Sequence, residues 1–101
     1  MSPGEKILTL HPRHGPGIHI DATRYQEMRS AILEVVPTDR CGMALERLPD
    51  AVRSRLSERF GGAHSSVPWY CVTVELDLEA RGLIERVPKI RPQHIRRASL
   101  R

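Results

Sequence analysis

SVPWYCVTVELDLEARGLIER, residues 66–86, reads as one helix stopped by glycine and followed directly by an extended segment. Ser66 is a natural N-cap, Pro68 falls in the first turn where its missing N–H costs nothing, and Gly82 suits the left-handed position that ends a helix. Trp69, Val72, Leu76 and Ala80 recur at spacings of three, four and four residues, a stripe expected to face a core. Leu83 and Ile84 then begin a strand. The order predicts a helix leading into a wing.

Downstream, the wing is expected to run roughly from Leu83 to Val87 and return over Lys89 to Arg91 or a little beyond, with Pro88 near its tip. Residues 92–101 then read as a basic tail: after Arg81 the chain holds six Lys and Arg against one acid, within a total of 16 against 12. Upstream, Leu45, Leu48, Val52, Leu56 and Phe60 predict a helix ending at Gly61-Gly62, with Pro49 either opening or kinking it. Ala63 to Ser65 link it to the next helix. Asp21 caps an earlier helix from Ala22 to about Val36, whose buried stripe is Tyr25, Met28, Ile32 and Val35 or Val36, and Pro37 forbids its continuation. Thr38 to Gly42 reads as a turn. The apolar runs Ile7–Leu10 and Ile18–Ile20 bracket HPRHGPG, which predicts a small hairpin. The whole is an α+β, winged helix-turn-helix-like fold with three helices, an N-terminal strand or hairpin and a short C-terminal wing.

Three stretches carry a family resemblance: ILTLHPRHGPGIHID (7–21), DATRYQEMRSAIL (21–33) and, above all, Trp69 followed after six residues by LDLEARG (76–82). They resemble a family of small uncharacterised bacterial proteins, a domain of unknown function with a winged-helix-like fold. The similarity runs roughly from Lys6 to Arg91. It implies the same architecture and no particular activity. More loosely, LDLEARGLIER is similar to the end of recognition helices in bacterial transcription regulators.

At 101 residues the chain is expected to form one domain with one modest core. Aromatic residues make up only 4%, so that core rests on Leu, Ile and Val, and a homodimer would help it. No apolar run approaches a membrane span, and the N-terminal residues lack the pattern of a secretory signal, so a cytoplasmic location is expected. Cys41 and Cys71 have no metal or redox spacing and read as idle thiols. No cofactor motif is present.

Candidate functional residues follow from this frame. His64, Ser65, Ser66, Tyr70 and Thr73 are neutral hydrogen-bonding groups at the positive start of the third helix, the part that approaches base edges in helix-turn-helix proteins. Arg86, Lys89, Arg91, Arg96 and Arg97 supply positive charge for phosphate. Against this, Glu75, Asp77 and Glu79 make the helix net negative, which opposes insertion into a groove. Asp77 and Arg81 are placed to bridge, and these four charged side chains are expected on the surface. His11, His14 and His19 suggest imidazole ligands, but their spacing matches no standard metal site. The expectation is therefore a non-enzymatic module that binds DNA through the wing and the start of the third helix. The alternative is a protein-interaction or dimerisation module that does not touch nucleic acid. Steep salt dependence would mark the first.

Overall fold

The computed structural model describes residues 4–58, 60 and 66–98. The chain opens with an antiparallel hairpin of β1 (Lys6–His11) and β2 (Gly15–Asp21), turned by Pro12, Arg13 and His14. The ladder slips between Leu8 and Leu10 because Thr9 is buried and its Oγ1 both donates to the Ile18 carbonyl at 2.9 Å and accepts from the Ile18 N–H at 3.0 Å. A side chain there replaces a rung.

Helix α1 spans Ala22–Val35, with Asp21 Oδ2 accepting from Arg24 N at 2.9 Å. Val36 turns to extended geometry, as a residue preceding proline must. Met28 and Ile32 are fully enclosed, so both the expected bounds and most of the expected stripe are found.

Thr38 to Gly42 bends as expected, with Asp39 Oδ1 accepting from Gly42 N at 2.7 Å, but the long helix expected after it is not found. Met43–Ala44 form a short strand, β3, followed by a 3-10 turn at Leu45–Arg47 and a six-residue helix, α2, at Leu48–Arg53. Two competitors shorten that helix. The Leu45 N–H donates to Gln93 O at 2.8 Å, which keeps the segment attached to a sheet until Leu48. Beyond Arg53, the Glu27 carboxylate on α1 takes both the backbone N–H and the hydroxyl of Ser57, and a continuing helix would have needed that N–H for the carbonyl four residues back. Phe60, the intended last residue of the stripe, is nevertheless buried in the core.

Helix α3 spans Val67–Ala80 and leads into β4 (Ile84–Val87) and β5 (His94–Arg97). The second sheet has the order β3-β5-β4, all antiparallel, with Ile95 of β5 opposite Met43 on one side and Arg86 on the other. The return strand is thus His94–Arg97, starting later than the expected Lys89 to Arg91 or a little beyond. Pro88 holds φ near −65°, incompatible with the positive φ that a two-residue hairpin turn demands, and Pro92 has no N–H for a ladder. The segment read as a basic tail carries the central strand. Among the described residues the architecture is α+β, with three α-helices and two small antiparallel sheets around a core of Met28, Ile32, Leu48, Val74, Leu78 and Ile95. No helix among them is long and apolar enough to cross a membrane.

One expectation about α3 is reversed. Trp69 is 46% exposed and Val72 54%, while Leu76 and Ala80 are half-buried. The inward stripe is Val67, Cys71, Val74 and Leu78. At about 100° per residue these two stripes lie on opposite sides of the helix, and both are apolar. Periodicity alone could not choose between them.

Candidate interaction face

Local chemistry fixes the ends of α3. Ser66 Oγ accepts from Trp69 N at 3.2 Å, and Gly82 sits at φ 77°. There the Leu83 N–H reaches Leu78 O at 2.9 Å while the Gly82 N–H reaches Glu79 O at 3.0 Å, the paired bonds of a glycine-terminated helix.

A buried carboxylate sets the rotation of the helix. Asp77 is fully enclosed and accepts three hydrogen bonds: Leu10 N at 2.8 Å from β1, Tyr25 Oη at 2.5 Å from α1 and Arg81 Nε at 2.9 Å from its own helix. Burial and the adjacent Asp77 raise the Tyr25 hydroxyl above its usual range, which keeps it a donor. The expected bridge to Arg81 is present, but Asp77 is interior, contrary to the surface position expected of it. Charge-assisted bonds from three elements offset the cost of enclosing the carboxylate.

Glu75 is interior too, at 1% exposure, and its Oε1 has no hydrogen-bond partner. Burial, reinforced by a hydrogen bond to Glu79 and the charge of that neighbour, pushes its carboxyl up to about 9 against the pull of Arg86. Glu75 is therefore a neutral acid at pH 7. Glu79 in turn is gripped by Arg86, whose Nε stands 3.0 Å from both carboxylate oxygens. The neighbouring Cys71 thiol, buried and close to Glu75, is pushed up to about 12, which leaves it unreactive at neutral pH.

The outward side of α3 is different in kind. From Ser66 to Val74 there is no charged residue, and Trp69 and Val72 project from this uncharged face. Beside it lies a pocket of about 170 Å³, walled by Leu45, Leu48, Pro49, Cys71 and Val72, with the exposed Glu46 at its edge and Glu75 reaching it. The C-terminal half of α3 packs against β1, and Leu76, His11 and Ile18 line an open pocket of about 160 Å³ between helix and hairpin.

The candidate nucleic-acid residues are distributed as follows. Ser65 and His64 lie outside the described residues. Ser66, Tyr70 and Thr73 share one flank of α3, but Ser66 spends its hydroxyl on the cap and Tyr70 is half-buried, edge-on to Phe60 at 5.3 Å and to Trp69 at 5.0 Å. Thr73 borders the pocket that Leu10 and Ile18 of the hairpin also line. Arg86 is held at Glu79, about 13 Å further along the helix from Tyr70 at 1.5 Å per residue. Arg96 pairs with Glu85 at 2.5 Å and donates to Arg40 O, while Arg97 Nε donates to Val36 O at 3.0 Å. Strand alternation puts Arg86 and Arg96 on opposite faces of the sheet, since Arg86 faces Ile95 across the ladder and Arg96 faces Glu85. Lys89 and Arg91 stand exposed in the 88–93 connection. The helix-start group is gathered; the basic group is dispersed.

His11 and His14 stack at 4.2 Å at the hairpin tip and border a polar cleft of about 520 Å³ shared with Arg13, Glu79, Arg86 and Gln93. His11 Nδ1 accepts from Arg13 N at 3.1 Å, and His19 lies farther down β2. Among the described residues no three His, Cys, Asp or Glu side chains converge as a metal site.

The residues missed from sequence were Glu75 and Asp77 as interior groups and Trp69 and Val72 as outward ones. One signal was available: a helix apolar on both sides has to spend one of them elsewhere.

Fold and face together define a small α+β domain whose last helix shows an apolar outer side. By sequence it belongs to the Family of unknown function (DUF6958), whose model matches residues 6–95. No curated protein and no solved structure matches the chain.

Proposed function

We propose that this domain is a non-catalytic, winged-helix-type module that works as a homodimer through the outward face of α3. The observation that carries the reading is the exposure of Trp69 and Val72 on a helix whose opposite stripe is already buried. Apolar surface of this kind marks a contact site. The occupant is argued from charge. Two copies that each carry a net +4 repel unless they meet on neutral surface, and the outer side of α3 from Ser66 to Val74 is free of charge. The winged-helix reading draws support from the order α1-β3-α2-α3-β4-β5 with sheet order β3-β5-β4, in which a strand between the first two helices pairs with the last strand. Sedimentation velocity tests the dimer. Wild type is expected to associate at micromolar concentration and Val72→Arg to remain a monomer; a wild type that stays monomeric removes the reading.

Nucleic-acid binding is the second reading, favoured by the fate of the acids. Glu75 is neutral and enclosed, Asp77 is saturated and Glu79 is neutralised by Arg86, so the start of α3 is not screened by negative charge. Lys89 and Arg91 remain available for phosphate. Titration of a labelled duplex at low and moderate salt decides it: binding that weakens steeply with salt and with Lys89→Ala plus Arg91→Ala would establish this role.

A further inference from the structure

We infer that the cleft between the hairpin tip and the second sheet binds a phosphate monoester, the terminal phosphate of a small organic molecule, through Arg13, Arg86, His11 and Gln93. Neither Trp69 nor Val72 lines this cleft, so the site stands whether or not two copies associate.

Hydrogen-bond donors outnumber acceptors on its walls. Among the described residues the Arg13 guanidinium has no ion-pair partner, and the Gln93 side-chain amide has no hydrogen-bond partner. His11 Nδ1 accepts from Arg13 N at 3.1 Å, so the neutral ring carries its proton on Nε2, again a donor. Arg86 gives Nε to both oxygens of Glu79 at 3.0 Å and Nη2 to Oε2 at 3.0 Å, which leaves Nη1. Glu79 is the one carboxylate on the walls among the described residues, and it is already filled: Arg86 takes both its oxygens and Glu75 shares a hydrogen bond with it. Its role is to hold the guanidinium side-on, so that the remaining end at Nη1 is fixed in position for an outside acceptor.

The charge balance has the same sense. Arg86 cancels Glu79, and the neutral Glu75 behind it adds nothing, so Arg13 sets the sign of the cleft. Arg91, exposed two residues before Gln93, adds to it. A concave wall concentrates such a field.

The donor set selects the anion. A carboxylate offers two acceptor oxygens and one charge, whereas a phosphate monoester offers three and carries about −1.5 to −2 at pH 7. Donors come from the hairpin tip on one side and from β4 and the 88–93 connection on the other, which suits a terminal group with three free oxygens better than a backbone diester with two. The cleft, at about 520 Å³, also has room for the carbon skeleton, and Pro12 and Leu76 give that skeleton an apolar wall.

Phenyl phosphate is the probe. Titrated into the isotope-labelled chain at constant ionic strength, it should give saturable amide shifts centred on Arg13, His14 and Gln93, with no comparable change from sodium chloride. Arg13→Gln removes an exposed cation and should weaken binding about fivefold without lowering the melting temperature, and Arg13→Lys should recover part of the loss. Arg86→Lys keeps a charge opposite Glu79 but has no spare Nη1 and should weaken binding to a similar degree. Arg53→Gln removes the same charge from α2, outside the cleft, and should leave affinity unchanged. Equal weakening by Arg13→Gln and Arg53→Gln would reduce the effect to net charge and overturn the site, as would shifts that never saturate at millimolar phenyl phosphate. Tighter binding at the same amides by a short single-stranded oligonucleotide without a terminal phosphate would also overturn it, assigning the cleft to a diester backbone.

Discussion

Asp77 shows how much one side chain can organise. Its two oxygens collect donors from β1, α1 and α3, so its removal strands the Tyr25 hydroxyl and the Leu10 N–H together. Asp77→Ala is expected to cost about 3–5 kcal/mol in urea unfolding, against about 1 kcal/mol for Tyr25→Phe, which deletes a single bond. Glu75 behaves in the opposite sense. Its carboxyl titrates near 9 in the folded chain and at ~4.3 when unfolded, so between those values the native state holds a proton that the unfolded state has released. Stability from this group is greatest at low pH and falls as pH rises across that window. Glu75→Gln does not titrate, and its stability relative to wild type should grow by about 1 kcal/mol per pH unit from pH 5 to pH 8. A constant difference over that range would show that Glu75 is charged when folded. Neither role was legible in the sequence: acids within a helix are usually solvated, and only the partners brought by β1, α1 and Arg86 distinguish these from surface charges.

At the scale of elements, α3 is the instructive case. Its ends were legible because capping is local: Ser66 and Gly82 act within one turn, and both appear where their chemistry places them. Its rotation was not, because both sides satisfy a helical period. Paired substitutions check the orientation: Leu78→Ala should cost about 3 kcal/mol, as for a fully buried leucine, and Val72→Ala less than ~0.5 kcal/mol in the monomer. Equal effects would restore the expected stripe. Helix α2 was overestimated for the same kind of reason, since Gln93 and Glu27 hold its flanks from elsewhere in the chain. Gly42 marks where β3 meets β5: it has φ 63°, and a Cβ there would fall 2.0 Å from Ile95 O. Gly42→Ala should therefore lower the melting temperature clearly, whereas the same change at an exposed helical site would be nearly silent.

For the molecule as a whole, the last strand matters more than its composition suggests. β5 lies between β3 and β4, and its Ile95 is completely enclosed. Truncation after Arg91 should abolish cooperative thermal unfolding; a cooperative transition with retained helical circular dichroism would show that the second sheet is dispensable. The basic surplus reads differently at this scale. Arg86, Arg96 and Arg97 are engaged with Glu79, Glu85 and the Val36 carbonyl, so much of the C-terminal charge fastens strands and helices together. The sequence by itself determined the hairpin, the first helix with its cap and proline stop, the ends of α3 and the mixed α+β class, because turns, caps and prolines act over a few residues. Only the tertiary structure decided which side of α3 faces inward, which acids are buried and where the final strand pairs, because those depend on groups dozens of residues apart competing for the same hydrogen bonds and the same interior.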